Sequence, residues 1–258
     1  MVWSFSRLSA YLTCGLQYYL KYCAQVEPTV VSSNLLLGSG VHYAHQLIYE
    51  NMAKHGRPPS LQDVLDGVNE EMRLRHKISP PVQYKNGGDL EALVKEAQTL
   101  TETLYGSVTP EPVVSVDQTE IVDLIDGQGY PLGKLQVVYD LIVGNGEGET
   151  ETIVDLKTAK QQLAEDRLRW DLQPSCYLLA RKLSTGRMPG FRFDVLLKRK
   201  VPEFSQHPVA RSQSDFDRLL GIIRNVDRGI REEVFMPHRG CISCSSCGWE
   251  QACSAWTG

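Results

Sequence analysis

The stretch that most constrains this chain runs from Gln136 to Thr158, QVVYDLIVGNGEGETETIVDLKT. Two runs rich in Val and Ile flank Gly-Asn-Gly-Glu-Gly, which is the sequence signal of a β-hairpin. Asp140 falls on its first strand, and Asp155 and Lys157 on its second. Side chains alternate faces along a strand, so Asp155 and Lys157 project from one side of the sheet, with Asp140 in reach of it. Two carboxylates and an ammonium held together are costly unless a divalent cation or a reaction uses them. A hard cation takes one or two carboxylates plus water and phosphate oxygens, and a lysine beside it can orient an attacking water. The competing reading is that these are ordinary solvated hairpin charges.

With 258 residues, 42% hydrophobic and 22% charged, the chain suits one sizeable globular domain, residues 1–258, with a core of its own. No apolar run approaches the ~20 residues of a membrane span and the N-terminus lacks a signal-peptide core, so a cytoplasmic location and no membrane contact are expected. A net charge of -4 excludes a generally basic nucleic-acid binder, and contact with phosphates would need a local patch or a metal. The best basic candidate is RFDVLLKRK, 192–200, preceded by Arg181, Lys182 and Arg187; the alternative for it is a solvated strand end and helix face. Four of the seven cysteines, Cys241, Cys244, Cys247 and Cys253, crowd into the tail, a density that in a cytoplasmic chain points to metal or cluster ligation before disulfides.

In chain order, residues 3–23 predict one or two short helices with Cys14 in the middle. Leu37–Glu50 predicts a helix with Val41, Ala44, Leu47 and Ile48 on its apolar face and His42 and His45 one turn apart. Gly38 and Gly40 would allow close backbone approach at its start. Residues 56–108 read as a helical insertion, opened by a Ser60–Asp63 cap and broken at Pro80-Pro81 and Gly87-Gly88. From Pro112 the pattern becomes alternating and predicts three strands; Glu120 on the first is expected to pair with a neighbouring Lys. Leu163–Leu183 predicts a helix despite Pro174, on which Gln173 and Tyr177 share a face. A fourth strand at 191–198 and a helix at 215–234 complete an α/β core with a mixed central sheet flanked by helices. Cys23 and Cys176 read as core thiols. The tail spacing Cys244-x-x-Cys247-x5-Cys253 admits a zinc site using the four local cysteines, or an iron-sulfur cluster using three and a distant fourth.

Taken in order, Cys14, His42, Asp140, Asp155-x-Lys157, Gln173-x-x-x-Tyr177 and the cysteine triplet resemble the RecB-like PD-(D/E)XK nucleases that carry an iron-sulfur cluster. In size and layout the chain is most similar to the stand-alone CRISPR-associated exonucleases that trim DNA ends for spacer acquisition. That resemblance implies a restriction-endonuclease-like core in which His42, Asp140 and Asp155 hold Mg2+ or Mn2+ with help from the Leu156 carbonyl. It implies that Lys157 positions the attacking water, and that Gln173 and Tyr177 hold the scissile strand or the Lys. Glu50 matches the acid that follows the histidine of the motif, and His45 has no counterpart in it. The resemblance further implies a [4Fe-4S] cluster on Cys14, Cys244, Cys247 and Cys253 that staples residues 1–24 to 238–258, with Cys241 left over and the zinc reading still open. DNA, single-stranded or as duplex ends, would be the substrate, with CRISPR integrase or recombination proteins as partners. The alternative is a DNA-binding assembly subunit with a vestigial nuclease site.

Overall fold

The computed structural model describes residues 1–84, 87–144, 150–240 and 242–257. In chain order the elements are β1 (Val2–Trp3), α1 (Phe5–Thr13), α2 (Gly15–Tyr18) running into a π-helical turn (Tyr19–Cys23), β2 (Val31–Ser32), α3 (Ser33–His55), α4 (Leu61–Ile78), β3 (Val82–Gln83) and α5 (Leu90–Ser107). The second half holds β4 (Val113–Ile125), β5 (Pro131–Val143), β6 (Thr152–Ala159), α6 (Glu165–Trp170), α7 (Leu172–Thr185), β7 (Gly190–Leu197), β8 (Glu203–Pro208), α8 (Gln213–Arg231), a 3-10 turn (Ile242–Ser246) and α9 (Glu250–Ser254).

A mixed sheet divides two layers of helices. β4 runs antiparallel along β5 from Val113↔Val143 to Ile125↔Pro131 and takes one whole edge of it. The other edge of β5 is shared: β1 pairs parallel at Lys134 and Leu135, and β6 pairs antiparallel only from Leu141 to Val143. Between these two neighbours, 136–140 of β5 has no strand beside it on that edge among the described residues, and the sheet is split there. β6 continues alone against β7, in parallel register from Thr152↔Gly190 to Ala159↔Leu197, and β8 closes the far edge. The parallel β6–β7 pair requires a crossover, which α6 and α7 provide.

Alternation along β6 sends Ile153 into one core, with α7, α8 and the rings of Phe191 and Phe193, and sends Val154 and Leu156 into the other, with α3, α4 and α5. In the second core, α3 and α4 approach closely at Gly40, where a Cβ would stand 2.7 Å from the Met72 side chain, whereas Gly38 faces open space. Because α3 begins at Ser33, both glycines lie inside the helix and not at its start. The Ser60 cap forms as read, with Oγ accepting the Asp63 N–H at 3.1 Å.

Three expectations are corrected. The helix predicted for 163–183 is two helices broken at Asp171, whose carboxylate accepts the Gln173 N–H at 2.9 Å and caps α7. Pro174 is therefore the third residue of α7, within the first turn, where the N–H it lacks has no intrahelical partner to lose. β8 was not foreseen, because EFSQHP is a polar, partly exposed edge strand without the apolar alternation that marks buried ones. Cys23 is exposed at the end of the π-helical turn, while Cys176 is buried as expected. The Gly-rich hairpin turn falls at 144–148, of which only Gly144 lies within the described residues, and Cys241 lies outside them.

Candidate active site

The split between β5 and β6 is where the charged residues of the hairpin meet. Past Leu141 the two strands separate, and the Leu156 N–H, having no β5 carbonyl to bond, donates to Asp140 Oδ2 at 2.9 Å. N–H and C=O of one strand residue point to the same side, so the Leu156 carbonyl also faces the gap. His42, from the layer on the α3 side, brings Nδ1 to 3.3 Å from the same Asp140 oxygen. Burial opposes ionisation of Asp140, but His42 and the Leu156 N–H outweigh it and hold the carboxyl down at about 2.

From the opposite layer, α7 supplies Gln173, whose Nε2 donates to Asp155 Oδ1 at 2.6 Å and to the Tyr177 hydroxyl at 3.1 Å. Lys157 faces Asp155 Oδ2 in an ion pair and stands 5.7 Å above the Phe193 ring. Asp155 is 2% exposed, and burial, reinforced by Asp140, pushes its carboxyl up to about 6 against the pull of Lys157. Thus two neighbouring carboxylates are driven apart in acidity, as the acids of reactive sites often are. His42, Asp140, Asp155, Lys157, Gln173 and Tyr177 are all brought together. The contribution of Phe193, beneath Lys157, went unnoticed because nothing in the sequence distinguishes it from any core aromatic.

Several neighbours stay outside this constellation. His45 is buried against Tyr49, ring centroids 4.7 Å apart, and burial lowers it to about 4, so it is a neutral core histidine. Glu50 accepts from Gln46 Nε2 at 2.9 Å, about 12 Å along the helix from His42 at 1.5 Å per residue. Glu120 pairs with Arg181 at 3.1 Å and not with a lysine, and Glu151 takes the other side of that guanidinium at 2.8 Å. The basic run 192–200 forms no stripe: Arg192 points inward to Glu111 and to Asp194 at 3.0 Å, and Arg199 pairs with Glu203 at 2.6 Å.

The donor set fits a hard divalent cation. Asp155 Oδ2 is a buried oxygen whose partner is the Lys157 ammonium, and two carboxylates, a peptide carbonyl and an imidazole surround the split. Among the described residues no three His, Cys, Asp or Glu side chains already close on one ion, since Asp140 is turned onto His42 and Asp155 onto Lys157.

A second cluster forms where the chain ends meet. Cys14 lies between α1 and α2, Cys244 in the 3-10 turn, Cys247 just beyond it and Cys253 on α9, and all four line one cavity of about 40 Å³ with Leu16 and Leu20. His238 N donates to Cys14 Sγ at 3.4 Å, and Cys244 Sγ to the His238 carbonyl at 3.5 Å. Burial pushes the Cys247 thiol up, and Cys14, Cys244 and Cys253 are each near enough to add to that. The tail is tied to the segment before α3: the Trp249 indole donates to the Val26 carbonyl at 2.7 Å, and Thr29 N to the Gly248 carbonyl at 2.8 Å.

A mixed α/β sheet split beside an acid pair and a lysine has the donors to hold a divalent cation next to a phosphodiester. The sequence profile of the PD-(D/E)XK nuclease superfamily matches residues 2–254, and the chain belongs to that superfamily. Among solved structures it is similar to a protein from Eubacterium rectale described as a "putative exonuclease", with 18% identity, a TM-score of 0.59, and coverage of 94% of this chain and 86% of that one. At that identity the likeness concerns the fold. A comparison with curated proteins finds no match. Among the described residues no helix is long and apolar enough to cross a membrane.

Proposed function

We propose that the chain is a Mg2+- or Mn2+-dependent deoxyribonuclease that hydrolyses phosphodiester bonds as an exonuclease on single-stranded DNA or DNA ends. The observation that carries this reading is the meeting of Asp140, Asp155, Lys157 and His42 at the split, with the buried Asp155 paired to the Lys157 ammonium and Asp140 to His42. His42, Asp140 and Asp155 would hold the ion together with the Leu156 carbonyl. When bound, it would supply charge stabilisation at the phosphate and lower the pKa of water. Gln173 holds Asp155 in place through Oδ1 and keeps its second oxygen turned toward Lys157. Lys157, 24% exposed, can shift from Asp155 toward the attacked phosphate and orient the incoming water there. Tyr177, fixed by Gln173, would hold the scissile strand. The test is metal-dependent cleavage of labelled DNA with and without free ends.

The four cysteines support a [4Fe-4S] cluster as the staple between residues 1–24 and 238–258. They line one cavity, and three closely spaced thiols with a distant fourth are the ligand pattern of an iron-sulfur site. Protein purified without oxygen is expected to contain iron and sulfide and to be brown, with Cys247→Ser losing the colour and most of its thermal stability. One equivalent of zinc and no colour would refute the cluster. Trimming of DNA ends in CRISPR spacer acquisition or in recombination, beside an integrase or recombination proteins, is the setting this layout suits.

A further inference from the structure

Between α6 and the start of α8 lies a cavity of about 490 Å³, lined in part by Arg169, Trp170, Arg211 and Arg218 and by the carboxylates Glu165 and Asp215. Trp170 is 50% exposed, a large aromatic on an open surface, and guanidinium carbons lie over its ring at 4.7 Å for Arg169 and 4.9 Å for Arg218. Asp215 is committed to the Ser212 N–H at 2.8 Å and to Arg218 at 2.9 Å. Among the described residues Arg169 has no ion pair. Arg211 is held rigidly, donating to the Leu168 and Asp171 carbonyls at 2.9 Å and to Ser175 Oγ at 3.1 Å. The cavity is thus walled by planar cations stacked on an indole, and it is built around the one-residue link between α6 and α7.

We propose that the Arg169–Trp170–Arg218 stack is a subsite for an unpaired nucleotide of the substrate strand, a reading that rests on the nuclease function above. A nucleobase is received by the faces of indole and guanidinium alike, and the flanking phosphate by guanidinium N–H groups. Neither contact reads sequence, which suits a strand that is held while it is shortened. Trp170 precedes Gln173 by three residues, at most about 10 Å of extended chain, and Gln173 holds Asp155. The base on the stack therefore belongs to a nucleotide within a few steps of the one at the split. An acidic peptide would use the cations but not the ring faces.

The test is fluorescence anisotropy of a labelled single-stranded oligonucleotide of about twelve nucleotides, in chelator so that nothing is cut, with thermal midpoints measured alongside. Trp170→Ala and the double variant Arg169→Gln/Arg218→Gln are each expected to weaken binding about tenfold, with a matching rise in KM once metal is added. Wild-type affinity in both, with only a lowered thermal midpoint, would mean that the stack merely ties α6 to α8 and would overturn the inference while leaving the nuclease reading intact. Competition by polyglutamate as strong as by unlabelled oligonucleotide would overturn it in favour of an acidic partner. Failure of the wild type to bind any DNA would remove the nuclease reading as well.

Discussion

Asp155→Asn is expected to lose at least about a thousandfold in cleavage rate, some 4 kcal/mol of transition-state stabilisation, and to lose ground in stability to the wild type as the pH falls from 6 toward 4. The isosteric amide keeps the shape but carries no charge for a metal, and with its oxygen on Gln173 its NH2 would face the Lys157 ammonium. The stability half of the expectation follows from the sign of the shift. The folded carboxyl titrates at about 6, raised from 3.8 by burial, so near neutrality the fold strains against an ionised group that the unfolded chain holds freely. That cost is present above pH 6 and relieved as pH falls from 6 toward 4. The amide removes it at every pH. Urea unfolding in chelator, across pH 4–7, checks this: the wild type should gain on the variant as the pH drops. A variant that cuts at the wild-type rate, or whose stability relative to the wild type does not fall as the pH drops, would contradict the role assigned to Asp155.

Arg181→Met is expected to destabilise the protein by about 3–5 kcal/mol, the cost of stranding a buried charge. Arg181 is 9% exposed and lies between Glu120, 8% exposed, and Glu151. Arg181 supplies the ion pair to Glu120 Oε2, so without the guanidinium the buried carboxylate loses its countercharge and keeps only the neighbouring Tyr139 hydroxyl. Arg181 lies one turn beyond Tyr177 and two beyond Gln173 on α7, and it clamps that face of the helix to β4 and to the approach to β6. Cleavage should therefore fall together with stability. The companion change Glu120→Gln should recover part of the loss, because it removes one of the stranded charges. A urea midpoint unaltered in Arg181→Met would mean that the two acids are solvated and that the clamp is no clamp.

The candidate site was legible in the sequence to an unusual degree, since its residues sit in fixed order on elements whose periodicity is plain. Asp155 and Lys157 share a strand face by alternation, and Gln173 and Tyr177 share a helix face by spacing. The split in the sheet was not legible. It exists because the two-residue β1 takes one end of a β5 edge and β6 the other, and no local pattern announces a neighbour 130 residues away. The same ignorance of tertiary partners made the basic run 192–200 look like a surface patch: Arg192 is turned inward by Glu111, which lies on a different segment. The break at Asp171 carried a readable signal, an Asp cap followed three residues later by a proline in the first turn. The apolar stripe running across it concealed the break.

The measurement that tests the central claim most directly is incubation of the wild type with end-labelled linear DNA and with closed circular single-stranded DNA, in Mn2+, Mg2+ or chelator, with Lys157→Ala beside it. The account predicts label released from linear DNA only when the metal is present, circles left whole, and no release by the Lys157 variant. Release in chelator, or release by Lys157→Ala at the wild-type rate, would contradict it.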